Sequence, residues 1–144
     1  MIRIVRLAAG LSILLVGSAI GSSMAMSDEA ERRRICATAE ARYQTIYGKP
    51  SASEAVAIVK MYKYNFCPAD LTVAPGTKVR WVNVDKRTSH SVWFEEAGRA
   101  ESDRLFPDEV VEFEVDLSAG DHPYLCGPHW EQEGMRGSVT VAPK

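Results

Sequence analysis

The chain has 144 residues, 46% hydrophobic and 25% charged, with a formal net charge of −2 at neutral pH. Its 17 basic and 19 acidic residues are interspersed, which excludes the basic face of a nucleic-acid-binding protein.

Arg3 and Arg6 precede an uncharged apolar run from Leu7 to Gly21, and Ser23-Met24-Ala25 offers small residues at the positions a signal peptidase reads. The run is about 15 residues, short of the roughly 20 a spanning helix needs. Residues 1–25 are therefore expected to be a cleaved secretory signal peptide, with no stable membrane insertion after cleavage. About 119 residues then remain, enough for one domain with a core, at a charge of −4 from 15 basic and 19 acidic residues. An exported, disulfide-permissive compartment follows, and the expected location is the periplasm.

The stretch from Asp28 to Tyr47 reads as a helix. Ile35, Ala39, Tyr43 and the pair Ile46 and Tyr47 fall near one face, Ser27 is placed to cap the start, and Gly48 with Pro50 stops it. Arg32-Arg33-Arg34 within it reads as a solvated helical face in preference to a docking patch. Ser51-Ala52-Ser53-Glu54 has the form of a capping box, but the alternation after it argues for a single turn or linker. Residues 26–55 thus form a helical N-terminal extension.

From Val56 the period changes to two. Val56, Ile58, Tyr62, Tyr64 and Phe66 share one face of a strand and Ala57, Val59 and Met61 the other, so its start is covered on both sides. Leu71-Thr72-Val73 is expected to continue it after Pro68. Ala74-Pro75-Gly76-Thr77 is a turn, Val79, Trp81, Val82 and Val84 mark the next strand, and Trp81 reads as core. Asp85-Lys86-Arg87-Thr88 is a polar loop that delivers His90 to a strand at Ser91-Val92-Trp93-Phe94. Residues 95–103 read as an exposed excursion. Val110 to Val115 alternates as a half-buried strand, Ser118-Ala119-Gly120-Asp121 turns the chain into Pro123-Tyr124-Leu125-Cys126, and Ser138 to Val141 closes it. Short strands with Gly/Pro turns imply an all-β, Greek-key sandwich over residues 56–144.

The chemistry is concentrated between Cys126 and Met135, where a thiol, an imidazole (His129) and a thioether fall within ten residues. One Cys, two His and a weak Met is the ligand set of a trigonal copper site with a long axial bond, and His90 is the candidate for the second imidazole. His122 stands at the far end of a short strand from Cys126 and reads as an ordinary surface histidine.

Cys-x-x-His followed by Met-x-Gly-x-Val-x-Val (Cys126 to Val141), with Pro75 to Asn83 and Ser89-His90-Ser91-Val92 upstream, resembles the cupredoxins, the small blue copper proteins, and looks closest to amicyanin and plastocyanin. The likeness covers roughly residues 56–142. It implies one copper ion, with His90, Cys126 and His129 as equatorial ligands and Met135 as the axial one. It further implies a site that shuttles single electrons between redox proteins, such as a cytochrome c or a periplasmic dehydrogenase or oxidase, and no enzymatic activity. Five residues separate His129 from Met135, a longer loop than in either relative, and Glu131 or Glu133 in that interval would make a harder, red-copper site. A copper chaperone or storage protein is the alternative from another class. Ser91 is placed to brace the loop across the site, Pro128 removes one amide donor near the Cys126 sulfur, and Pro128 with Trp130 could form an apolar patch beside His129. With Cys126 a ligand, Cys36 and Cys67 are an even pair, for which a disulfide is the economical reading; two unpaired thiols or a different site are the rivals.

Overall fold

The computed structural model describes residues 20–144, with side chains from residue 28 onward. The expected leader therefore lies largely outside the described residues, and residues 20–25 open the backbone of α1 (Ile20–Tyr47). Ser27 lies well inside that helix and so does not cap its start. No helix among the described residues is long and apolar enough to cross a membrane.

Cys36, Ala39, Tyr43 and Tyr47 recur at helical spacing and make the packed stripe of α1, with Ala39 and Tyr43 fully buried. Ile46 was expected on this face but is rotated off it and exposed, because the stripe continues through Tyr47. Arg33 pairs with Glu29 and Arg34 with Glu31 along the exposed face, as expected of a solvated run. Gly48, at φ +72°, ends the helix and its amide donates to the Gln44 carbonyl. Ser51–Ser53 is a single 3-10 turn.

Seven strands follow: β1 (Ala57–Tyr62), β2 (Asn65–Cys67), β3 (Asp70–Val73), β4 (Lys78–Asn83), β5 (Val110–Glu114), β6 (Gly120–Leu125) and β7 (Arg136–Val141). They form two sheets, ordered β2-β1-β4-β5 and β3-β7-β6. Between the sheets lies one core, with Val59, Met61, Phe66, Val79, Trp81, Phe94, Tyr124, Val139 and Val141 among its members. Trp81 is fully buried there, its ring against Phe94, Phe113 and Tyr124. The β1 register puts Ile58 on the outer face, where it joins Val82, Val84 and the stripe of α1 in a second core. This explains the apolar character of both faces of β1. Lys60 is the exception on that outer face, and its ammonium reaches Glu40 Oε2 and Ser51 Oγ, each at 2.9 Å.

Three expectations for the strands change. The strand read from Val56 through Phe66 is a hairpin: Lys63 and Tyr64, at φ +46° and +59°, fold β2 back on β1. That backbone is usually built from Asn-Gly. Here the Lys63 amide donates to Asp85 Oδ2 and Asn65 Nδ2 to the Lys63 carbonyl, so tertiary and local bonds hold what the residue types do not favour. Residues 71–73 do not continue that strand; β3 crosses to the other sheet and pairs parallel with β7, Leu71 opposite Val139. Ser91 to Phe94 is extended but joins no regular strand: it pairs through the bridges His90–Leu105 and Trp93–Leu125, and its Val92 and Phe94 carbonyls accept from the Ser102 and Arg99 amides. The Cys36–Cys67 disulfide is present and fastens α1 to the end of β2.

Candidate metal centre

Two segments converge at one end of the sandwich. His90 is held in the extended segment after β4 by paired backbone bonds with Leu105, and Cys126 directly follows β6. The loop after Cys126 closes on itself: the His129 amide donates to the Cys126 carbonyl, the Met135 amide to the His129 carbonyl, and the Cys126 amide to the Met135 carbonyl, at 2.9, 3.2 and 3.1 Å. The loop is therefore a rigid ring of backbone bonds.

Cys126 Sγ lies 3.3 Å from His129 Nδ1 and 3.8 Å from His90 Nδ1. One donor atom from each of the three residues falls within 4.8 Å of the others. Donors about 2.0–2.3 Å from a shared first-row ion would lie at about this separation, so the set fits a metal. Cys126 is a free thiol and His90 and Cys126 are fully buried, while His129 is partly exposed. Met135 is buried in the same core cluster as Cys126. Glu131 and Glu133 are exposed, and neither joins the three-residue group. His122 is elsewhere, with its Nε2 against the Ser118 carbonyl.

The local electrostatics suit a neutral imidazole at His129 beside a thiol that must lose a proton. Burial, then the neighbouring His90 and Arg104, lower the pKa of His129, which keeps its lone pair free. Burial pushes the Cys126 thiol up, against the opposing pull of Ser91, so metal uptake releases that proton. The Ser91 amide donates to Cys126 Sγ at 3.4 Å. Ser91 Oγ accepts from the Gly127 amide at 2.9 Å, the brace expected of it, and donates to Glu101 Oε1 at 2.6 Å. The exposed excursion thus returns one carboxylate to the site, and a Cβ on Gly127 would run into it.

Trp130 stacks under the Arg136 guanidinium at 4.9 Å. The aromatic neighbour of His129 is instead Tyr64, from the β1–β2 turn, with ring centroids 4.9 Å apart. Tyr64, Glu101 and Asp85 are the residues that sequence reasoning missed. An acid or a tyrosine in a polar loop carries no periodic signal, and only the spacing of Asp85 five residues before His90 was there to be noticed.

A family model for copper binding proteins of the plastocyanin/azurin family matches residues 53–142. A plastocyanin of Nostoc punctiforme is 32% identical over 90 residues, which are 53% of this chain and 63% of that protein, so the chain spans a little under two thirds of this relative's length. In structure the chain is similar to an oxidised amicyanin mutant, at 26% identity and a TM-score of 0.53 over 62% of this chain and 84% of that one. The fold is also that of a purple cupredoxin from Nitrosopumilus maritimus, at 22% identity and a TM-score of 0.52 over 60% and 99% of the two chains.

Proposed function

Because the chain belongs to the plastocyanin/azurin family of copper binding proteins, with copper as its cofactor, we propose that it is an exported, periplasmic carrier of single electrons. In this reading His90, Cys126 and His129 would hold the copper ion, and Met135 would supply a weaker fourth ligand. Residues 1–25 are its leader, 26–55 an extension and 56–144 the copper domain. The observation that carries the proposal is the buried free thiol gathered with two imidazoles within 4.8 Å.

Copper supplies the one-electron couple when bound. The chain's part is to hold the donor atoms still in both oxidation states, which the closed backbone ring from Cys126 to Met135 does. The Ser91 amide partners the sulfur. A donor loses one electron to the carrier, an acceptor later takes it, and no atom is transferred. His90, Cys126, His129 and Met135 would together fill the coordination set of copper and leave no open position for substrate, in keeping with a carrier and not an enzyme. Its partners are redox proteins, such as a cytochrome c or a periplasmic dehydrogenase or oxidase, met through a small, transient interface.

Burial also weighs against a copper chaperone or storage role, which needs donors open to a second protein. The exposure of Glu131 and Glu133 weighs against a carboxylate-ligated, red-copper site. The test is the metal content and visible spectrum of the copper-loaded protein. An intense thiolate-to-copper charge-transfer band that disappears in Cys126→Ser is expected; a colourless protein would favour the chaperone, and a band that survives in the variant would remove Cys126 from the site.

A further inference from the structure

Asp85 stands directly behind His90. Its Oδ2 accepts from His90 Nε2 at 2.9 Å, leaving Nδ1 as the ring nitrogen near Cys126. The same oxygen accepts from the Lys63 amide at 2.9 Å. Asn83 fixes the surroundings: its Oδ1 accepts from the Asp85 amide, and its Nδ2 donates to the Thr88 and Leu105 carbonyls. Arg42 reaches across from α1 to the Val84 carbonyl. The Asp85 side chain is only 12% exposed, and among the described residues it forms an ion pair with no lysine or arginine.

Aligning the His90 ring does not require a charge, since a backbone carbonyl or an amide oxygen would fix the same tautomer. Burying a carboxylate is costly unless its charge is used. We propose that Asp85 is a positioning residue that tunes the metal centre through His90, favouring the oxidised ion and so holding the reduction potential down. The inference rests on the copper-carrier reading above. Copper(II) carries one more positive charge than copper(I), so a carboxylate one imidazole away stabilises it more. The hydrogen bond also makes His90 Nδ1 a stronger donor.

The test is redox potentiometry on the copper-loaded full chain, with separate copper(II) and copper(I) affinities from competition titrations. Removing such a partner typically costs about 10- to 100-fold in metal affinity. Asp85→Asn is expected to weaken copper(II) about tenfold relative to copper(I), which raises the potential by about 59 mV for one electron. Asp85→Glu keeps the charge while disturbing the packing, and is expected to shift the potential less. Asp85→Ser is a smaller neutral variant that gives the same reading should the amide disturb the Lys63 contact. Unchanged potentials in both neutral variants, or a larger shift in Asp85→Glu than in either, would overturn the proposal while leaving the copper site standing. A wild-type protein that binds no copper would instead overturn the carrier reading, and this inference with it.

Discussion

Tyr64 sets its ring edge-on to His129, with centroids 4.9 Å apart and planes 63° apart, and lies 6.4 Å from His90. The turn at Lys63–Tyr64 thus puts a half-exposed aromatic ring against the two proposed ligand histidines, one of them partly exposed. An edge-to-face pair is worth about 0.5–1.5 kcal/mol. Tyr64→Ala is therefore expected to speed copper extraction by a chelator about two- to tenfold. Tyr64→Phe, which keeps the ring, should leave that rate unchanged. An extraction rate unaffected by the alanine variant would mean that the ring does not shield the site.

Gly127 and Glu101 are expected to be coupled. A methyl at residue 127 meets the Glu101 carboxylate, and that carboxylate is the far end of an exposed, flexible side chain. The clash is relieved by swinging Glu101 off Ser91 Oγ, so Gly127→Ala should cost at most the roughly 1.5–3 kcal/mol of one hydrogen bond to a charged group. In a Glu101→Ala background the same substitution should be nearly neutral. Additive urea midpoints across the four proteins would show that the two sites are independent.

The Glu40–Lys60–Ser51 network predicts a loss of stability in acid. Burial tends to raise the Glu40 pKa, but hydrogen bonds from Ser51, Lys60 and Gln44 prevail and lower it from 4.5 to about 2. A carboxyl whose folded pKa lies below its unfolded one stabilises the fold above the unfolded value. That contribution is lost as pH falls from about 4.5 toward 2. Screening of this partly exposed group limits it to about 1–2 kcal/mol. Urea unfolding of wild type and Glu40→Gln between pH 7 and pH 2 should show a difference that shrinks through this window.

The Cys36–Cys67 disulfide closes a sequence separation of 31 residues. Chain entropy puts its contribution at about 2–4 kcal/mol. Cys36→Ala/Cys67→Ala should lower the thermal midpoint correspondingly. The charge-transfer band should stay in place, because Cys36 and Cys67 are bonded to each other and neither belongs to the group of His90, Cys126 and His129. A band that moved would mean that α1 transmits strain to the site.

Cys126, His129 and Met135 were legible in the sequence because covalent spacing already confines them to one loop. The two-residue period of Val110 to Val115 and the helical period of α1 were legible for a similar reason, since local backbone geometry repeats in the side chains it can bury. The same local reasoning failed at residues 63–64. A Lys-Tyr pair carries no turn signal, and that turn is held in part by Asp85 from another loop.

By itself, the sequence determined the donor types, the alternating strands and the even cysteine pair. Only the tertiary structure decided that His90, 36 residues from Cys126, comes within 3.8 Å of its sulfur, and that Asp85, Glu101 and Tyr64 surround the group. The physical reason is that these approaches follow from two sheets burying a common apolar core. That burial brings distant loops to one end of the sandwich, and no residue's local preference encodes which loops meet there.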